Sequence, residues 1–390
     1  MRTAQKYIFL LIAFLLGLFG LRRIYYFAGY FVNDYGSLDL TTYRTAAIQA
    51  ISDPGGVYGH GFIYPPFATI IFYPLTLFSE AGAKRLYQVL TALAVYFLLY
   101  ALIRWLKHPW PALLALGGFV ISFAFWSTNG AFFLGQIDLI LAFLMFLDLF
   151  GIVPKKYRGI LLGFVAAIKL SPAFYGIIFL FRKDWGSAIR AVLSGIFWTI
   201  LTFIFKFELS TTFWFGGHMG DVHKVNDLPY GRNQSLSSLL VRLHANEQFI
   251  DHIGNIIWLI VLLTAFVGVF FWLKLGRDYL AILTMVLGML LGFPISNIHN
   301  WAPIILIVPL LLASKDLFER VISAILAIVL TIGMTCDHLE LRERSITLGV
   351  PIGSPMWLWV NCVVITSLII FLILVVRSVV AYRRHNTATV

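Results

Sequence analysis

Charged residues are scarce in this chain of 390 residues. Only 12% of the residues are charged, 60% are hydrophobic, and the mean hydropathy is +0.88. A soluble domain needs more polar surface than this composition supplies. The sequence therefore predicts an all-α polytopic membrane protein, in which apolar helices face lipid.

Cysteine is almost absent, and so are metal-binding patterns. Cys336 and Cys362 lack the spacing of a metal or redox site, and the sequence contains no Asp-x-Asp motif. We expect no metal and no cofactor. The net charge of +11 does not indicate nucleic acid as a partner, because the basic residues cluster at the ends of apolar runs.

Apolar runs of about 20 residues predict the membrane spans. Clear runs lie near residues 7–27, 86–104, 111–128, 133–153, 187–206, 253–275, 320–336 and 356–376, and the run 279–313 divides in two at "FPISNIHNW". The first run ends without a signal-peptide cleavage site, so we expect it to remain as an uncleaved first helix.

The distribution of basic residues decides whether two further segments, 63–78 and 159–181, cross the membrane. If 63–78 does not cross and 159–181 is a pair of short helices broken at "KLSP", only Lys84 and Arg85 lie outside. The basic residues inside are then Arg104, Lys107, Lys155, Lys156, Arg158, Arg182 and Lys183. The positive-inside rule favours this arrangement. It predicts one integral domain over 1–390, with about twelve spans and both termini in the cytoplasm.

The first large outer loop, 28–85, contains a predicted amphipathic helix, "DLTTYRTAAIQAI". Its apolar positions are Leu40, Tyr43, Ala47 and Ile51. Ser37 is the expected N-cap, which places Asp39 in the first turn. Asp39 is either a carboxylate that favours the helix dipole or a functional group at the membrane boundary.

Other candidate residues lie near the outer ends of spans. "FFLGQIDLI" places Gln136 and Asp138 in the first turns of a helix, and "GFVAAIKLSP" places Lys169 at a break. An ionisable group at membrane depth is costly and is a functional candidate. The alternatives for Lys169 are snorkelling to a headgroup and pairing with Asp138.

The second outer loop, 207–252, supplies basic and amide groups that suit a phosphate. These residues are His218, Lys224, Arg232, Asn233, Gln234 and Arg242. The "SNIHNW" break is irregular backbone at membrane depth, so we expect His299 to face the same cavity as Asp39. The alternatives are a solvated loop and, for His299, a structural histidine.

The ordered motifs "LDLTTYRTAA", "VYGHGFIYPPF", "GQIDLILA", "GFVAAIKLSP", "RNQS" and "SNIHNW" resemble glycosyltransferase family 87. The resemblance covers residues 30–310, and the specificity comes from the combination of motifs. It implies a GT-C-type bundle, a polyprenyl-phosphate sugar donor and a lipid-linked or glycan acceptor. The family includes mannosyltransferases of phosphatidylinositol mannosides, so mannose is the favoured sugar.

The resemblance also implies roles for single residues. Asp39 is the expected general base of an inverting single displacement. Lys169, Arg232 and His299 are the candidates for binding the donor phosphate. The expected substrate-binding residues are Tyr43, Tyr58, Tyr64, Gln136, Asn233 and Gln234.

The expected location is the plasma (inner) membrane, with the active site on the extracytoplasmic side. An enzyme on that side has no nucleotide sugar, so its donor must arrive on a lipid. A membrane transporter and a flippase or ligase of lipid-linked glycans are the alternative functions. The absence of a motif shared by the two helix breaks argues against a transporter built from inverted repeats.

Overall fold

The computed structural model describes residues 3–32, 37–59, 61–219, 228–333 and 348–387. Helices dominate these ranges, and the described residues form no strand beyond one isolated bridge between Asn233 and Asn297. The predicted all-α class is therefore confirmed. Lys224 and Cys336 lie outside the described residues.

The α-helices are numbered along the chain. They are α1 (Thr3–Val32), α2 (Leu38–Ser52), α3 (Phe67–Phe72), α4 (Glu80–Trp105), α5 (Pro111–Ser122), α6 (Trp126–Leu134), α7 (Asp138–Leu149), α8 (Ile160–Ile168), α9 (Ile177–Phe181), α10 (Trp185–Phe205), α11 (Phe207–Phe215), α12 (Leu236–Arg242), α13 (Glu247–Lys274), α14 (Asp278–Gly292), α15 (Ile307–Ala313), α16 (Leu317–Ile332) and α17 (Pro355–Thr387). The described residues also form four 3₁₀ segments between these helices, at Pro54–Gly59, Tyr73–Leu77, Ser171–Gly176 and Ile298–Leu306.

Within the described ranges, five helices are long and apolar enough to cross a bilayer: α1, α4, α10, α13 and α17. The pair α5 and α6, bent by 79°, is a sixth candidate if it forms one span. These helices identify an integral membrane protein. The expected count of twelve spans stays a prediction, because the remaining apolar helices are shorter than 18 residues.

Both predicted helix breaks are confirmed. The chain leaves α8 after Ile168 and continues as a 3₁₀ segment from Ser171, with Lys169 between them in an extended conformation. It leaves α14 after Gly292 and resumes at Ile298. Pro172 and Pro294 lie at the two breaks, where a missing backbone donor is least costly.

The described residues group into two compact units, each made of several chain segments. The first unit comprises Met1–Tyr26, Leu99–Gly130 and Asn226–Val390, and the second comprises Phe27–Leu98 and Ala131–Val225. In the first unit, α13 and α14 form the most extensive helix pair, and α17 packs against both. In the second unit, α8 and α10 form the principal pair.

The α8–α10 pair depends on small residues. A Cβ at Gly163 would lie 2.1 Å from the carbonyl oxygen of Ala191, so a larger residue at position 163 would force the helices apart. The hydroxyl of Ser194 donates to the carbonyl of Ile160 across the pair, at 2.9 Å. Close backbone approach and interhelical hydrogen bonds are how helices associate where no hydrophobic force favours their contact.

The amphipathic helix predicted within residues 28–85 is α2. Its buried residues are Leu40, Tyr43, Ala46, Ala47 and Ala50. Ile51, which the sequence pattern placed on the apolar face, is 57% exposed, because the buried stripe passes through Ala50 instead. Ser37 precedes the helix as expected, but its side chain makes no capping hydrogen bond.

Candidate active site

A glycine turn brings two distant parts of the second unit together. Gly135 has φ +74, and a Cβ there would lie 2.7 Å from Cβ of Leu40 in α2. The backbone N–H of Ser37 also donates to the carbonyl of Phe133, at 2.7 Å. Only glycine satisfies both the left-handed conformation and this close approach. The first turn of α2 therefore lies directly against Gln136.

Gln136 connects Asp39 to two tyrosines. Its Nε2 donates to Oδ2 of Asp39 at 2.5 Å, and its Oε1 accepts the hydroxyl of Tyr43 at 2.9 Å. The hydroxyl of Tyr64 donates to the same oxygen at 3.4 Å and lies 3.0 Å from the Tyr43 hydroxyl. Burial raises the pKa of Tyr43, so its hydroxyl keeps its proton. The two phenols thus orient the amide with its NH₂ group towards the carboxylate.

Burial also perturbs Asp39 itself. Desolvation raises the pKa of its carboxyl from 3.8 to about 6. The hydrogen bond from Gln136 and the charge of Lys169 oppose this rise, whereas the charge of Asp138 adds to it. Near neutral pH such a carboxylate is ionised and is basic enough to accept a proton from a hydroxyl that loses it in the transition state.

The two roles expected for Asp39 are both compatible with its surroundings. Among the described residues, its side chain makes one hydrogen bond, and the donor is the amide of Gln136. Asp39 follows the N-cap Ser37 and lies in the first turn of α2, where a carboxylate also interacts favourably with the helix dipole. Catalysis by Asp39 stays a prediction.

An ion pair lies beside this network. Nζ of Lys169 donates to Oδ1 of Asp138 at 2.6 Å and lies 5.6 Å from the ring centroid of Tyr64. The pairing that the sequence offered as one alternative for Lys169 is thus observed. Because Lys169 follows the last residue of α8, its side chain comes from irregular backbone and not from a helix face.

Aromatic rings form the wall behind the polar groups. The ring of Tyr43 stacks on Phe72 with centroids 4.3 Å apart, and it meets Tyr64 edge to face at 5.3 Å. Tyr58 donates its hydroxyl to the carbonyl of Tyr64 at 3.4 Å and stacks on His218 at 5.1 Å. These contacts hold the hydroxyls of the site in fixed positions.

An apolar groove of about 530 Å³ lies in the same unit, between α8, the segment Ser171–Gly176, α9 and α10. Alanine and glycine from the helices line much of it, and Trp214 adds an aromatic ring. Its lining includes Leu170, the residue that follows Lys169. The groove is suited to a hydrocarbon chain, since it presents almost no hydrogen-bonding groups.

Comparison with known proteins identifies the family. The sequence profile of glycosyltransferase family 87 matches residues 62–296, more than half of the chain. The chain belongs to glycosyltransferase family 87. This family 87 protein is therefore an enzyme that transfers a sugar.

The curated relatives of this glycosyltransferase include three mycobacterial enzymes. A polyprenol-phosphate-mannose-dependent alpha-(1-2)-phosphatidylinositol mannoside mannosyltransferase of Mycobacterium tuberculosis is 27% identical over 307 residues, 70% of each chain. A pentamannoside mannosyltransferase of M. tuberculosis, with the same named donor, is 27% identical over 363 residues, 86% of this chain and 80% of the relative. Its counterpart in Mycolicibacterium smegmatis is 25% identical over 288 residues, 69% and 68% of the two chains. No solved structure matches this glycosyltransferase.

The structure brings together five of the predicted site residues of the enzyme: Asp39, Tyr43, Tyr64, Gln136 and Lys169. Tyr58 contacts this group through Tyr64. The other four predicted residues, Arg232, Asn233, Gln234 and His299, belong to the first unit.

In the first unit, the "RNQS" and "SNIH" segments pair with each other. The N–H of Ile298 donates to the carbonyl of Arg232 at 3.0 Å, and the N–H of Gln234 donates to Ser296 at 2.9 Å. The amide of Gln234 donates to Gly231 and Val360 and accepts from Val364. Such backbone partners indicate a structural contribution from the amide.

Asn233 has the same kind of environment. It is fully buried, donates to the carbonyl of Pro294 and accepts from the N–H groups of Ser235 and Ser296. Substrate binding by Asn233 and Gln234 stays a prediction, as does phosphate binding by Arg232 and His299.

The sequence analysis did not single out Tyr87, which the structure places beside the Asp39 cluster. Tyr87 lies in the second turn of α4, is 4% exposed, and interacts electrostatically with Tyr64, Asp138 and Asp39. The signal in the sequence was a phenol at the start of an apolar run, next to Lys84, Arg85 and Gln88. That signal is weak, because tyrosines are common near the ends of spanning helices.

Proposed function

We propose that this family 87 enzyme transfers mannose from a polyprenyl-phosphate mannose donor to a glycolipid acceptor, with Asp39 as general base. The observation that carries the proposal is the Asp39 carboxyl, held by Gln136 and carrying a pKa of about 6. The names of the mycobacterial relatives support the donor and a phosphatidylinositol mannoside as the acceptor class.

The proposed reaction is a single displacement with inversion. Asp39 accepts the proton of an acceptor hydroxyl as the oxygen attacks the anomeric carbon. The bond between that carbon and the phosphate oxygen breaks, and its electron pair leaves with the polyprenyl phosphate. The transition state resembles an oxocarbenium ion, and a phosphate leaving group needs no strong acid.

The leaving phosphate requires positive charge nearby. Lys169 is the candidate within the Asp39 cluster, and its ion pair with Asp138 fixes its direction. Arg232 and His299 are the candidates from the first unit. The proximity of Leu170 to Lys169 supports the apolar groove as the place for the polyprenyl chain next to the phosphate.

We also propose that catalysis takes place on the extracytoplasmic side of the inner membrane. The positive-inside rule supports this orientation, since the basic residues cluster in the short loops on the other side. A donor carried by a lipid is the form in which an activated sugar reaches that side.

The test is sugar transfer by the purified protein in lipid nanodiscs. A short-chain polyprenyl-phosphate mannose is offered with phosphatidylinositol mannosides, and the product is identified by mass spectrometry. We expect transfer by the wild type and a loss of at least about a hundredfold in Asp39→Asn. Asp53→Asn, at the exposed end of the same helix, is the matched control. Full activity in Asp39→Asn would refute the assignment of the base, and no transfer from any polyprenyl-phosphate sugar would refute the proposed donor.

A further inference from the structure

Two buried polar groups beside the Asp39 cluster lack a hydrogen-bond partner among the described residues. One is Oδ2 of Asp138, whose residue is 7% exposed, and the other is the hydroxyl of Tyr87, which is 4% exposed. An unsatisfied polar group in a protein interior destabilises the folded protein, and the cost is larger when the group is charged. Native structures leave such groups rarely, so each requires an explanation.

Both groups border the same site. Tyr87 packs in one buried cluster with Tyr43, Tyr64 and Ile137, the residue before Asp138. The charges of Asp138 and Asp39 act on its hydroxyl, and the charge of Asp138 also acts on Asp39. Asp138 begins α7 and Tyr87 lies near the start of α4, so two rigid helices position them. The bond from Lys169 to Oδ1, at 2.6 Å, fixes the carboxylate and leaves Oδ2 to accept from another molecule.

We propose that Oδ2 of Asp138 and the hydroxyl of Tyr87 bind one hydroxyl group of a sugar substrate. The sugar hydroxyl donates to the carboxylate oxygen and accepts from the phenol. The identity of the sugar carrier rests on the proposed function, whereas the binding chemistry follows from the two groups themselves.

The hydrogen-bonding capacities of Asp138 and Tyr87 indicate a hydroxyl group as their common ligand. A carboxylate oxygen accepts hydrogen bonds and a tyrosine hydroxyl can donate one, so their common ligand must both donate and accept. An alcohol does both. A phosphodiester is unsuitable because it has no proton to donate to Oδ2 of Asp138, and an ammonium group cannot accept from the phenol. The sugar can belong to the donor or to the acceptor, and the experiment distinguishes the two.

Tyr87→Phe is the decisive variant. It removes a hydroxyl that has no partner among the described residues, so we expect the protein to fold as well as the wild type. Tyr175→Phe is the matched control, because Tyr175 is equally buried, at 4%, in the same unit, and its described interactions do not include the two carboxylates. Asp138→Asn is a second test, although it also removes the partner of Lys169.

The experiment uses two series of substrates in which single hydroxyls are replaced by hydrogen. One series varies the mannose of polyprenyl-phosphate mannose, and the other varies the terminal sugar of the acceptor glycolipid. Binding is measured by thermal shift of the protein in detergent, and kcat/KM is measured in nanodiscs. Turnover tests the proposed function, whereas binding tests the subsite even for a protein that shows no transfer.

We expect one analogue to bind at least about tenfold more weakly than its parent to the wild type. Tyr87→Phe should bind the unmodified substrate about three- to tenfold more weakly than the wild type does. The ratio of the affinities for the unmodified substrate and for that analogue should fall by the same factor. Asp138→Asn should remove most of the remaining discrimination, and Tyr175→Phe should behave as the wild type. The series that contains the sensitive analogue identifies the sugar.

Equal discrimination by the wild type and Tyr87→Phe across both series would overturn the inference. The two groups would then share an ordered water, which the hydroxyls of the substrate do not replace. A wild type that discriminates against no analogue would overturn it as well.

Discussion

Replacing Asp39 by asparagine should stabilise the protein while abolishing activity. The pKa of the carboxyl rises from 3.8 to about 6 on folding, chiefly through desolvation. At about 1.4 kcal/mol per pKa unit, the ionised form costs about 3 kcal/mol of folding free energy at neutral pH. Asp39→Asn removes this cost and keeps an oxygen that accepts from Gln136.

The stability difference between Asp39→Asn and the wild type should depend on pH, because only the ionised carboxyl destabilises the folded protein. Because the folded pKa is raised, the contribution of this group to stability is full below about pH 4 and is lost as the pH rises through 6. The advantage of Asp39→Asn over the wild type should therefore be about 3 kcal/mol at pH 7.5, about half of that at pH 5, and close to zero below pH 4.

The assay is thermal unfolding of both proteins in the same detergent, followed by intrinsic fluorescence at several pH values. We expect Asp39→Asn to unfold a few degrees higher than the wild type at pH 7.5, with a difference that narrows towards pH 4. Asp53→Asn, at an exposed position, should change stability by less than about 0.5 kcal/mol. An equal or lower unfolding temperature for Asp39→Asn at pH 7.5 would refute the argument that the site holds a costly charge.

Four further predictions concern the same unit. If Asp39 is the base, kcat/KM of the wild type should fall about tenfold between pH 7.5 and pH 5, because the carboxyl protonates with a pKa of about 6; a flat profile would contradict this. Gln136→Leu removes a hydrogen bond that lowers the pKa of Asp39, so the acid limb of that profile should move to higher pH and activity should recover in alkaline buffer. Gly135→Ala places a Cβ 2.7 Å from that of Leu40 at a positive φ, and we expect at least about tenfold lower kcat with folded protein by gel filtration. Ala166→Trp, in the apolar groove, should raise KM more for a long-chain than for a short-chain polyprenyl donor. Leu193→Trp, on the lipid-exposed face of α10, is the control and should leave the KM values of both donors unchanged. An equal effect of Ala166→Trp on the two donors would exclude the groove as the binding site of the polyprenyl chain.

Features that depend on local composition could be predicted from the sequence. The low charge predicted a membrane protein, and the apolar stripe that includes Leu40 and Tyr43 predicted α2. The breaks at "KLSP" and "FPISNIHNW" followed from proline and polar residues inside apolar runs. The extent of the short helices could not be predicted, because hydropathy measures the length of an apolar run and not the backbone conformation within it.

Contacts between distant segments could not be predicted from residue patterns. Gln136 lies 97 positions after Asp39, and the only local sign of their contact is the glycine before Gln136. A glycine has many causes, and its positive φ and its approach to Leu40 are visible only in the folded chain. The order of the motifs, not the chemistry of any one of them, indicated that these residues share a site.

The cost of burying Asp39 is itself an argument for its role. A carboxylate that serves only as a helix cap gains stability from the backbone N–H groups and from the helix dipole, and it has no reason to leave water. Asp39 instead occupies a site where desolvation outweighs the hydrogen bond from Gln136 and the attraction of Lys169. The same burial raises its basicity to the range in which a carboxylate can accept a proton near neutral pH. A burial that lowers stability and raises basicity at the same time supports the proposal that Asp39 is the catalytic base.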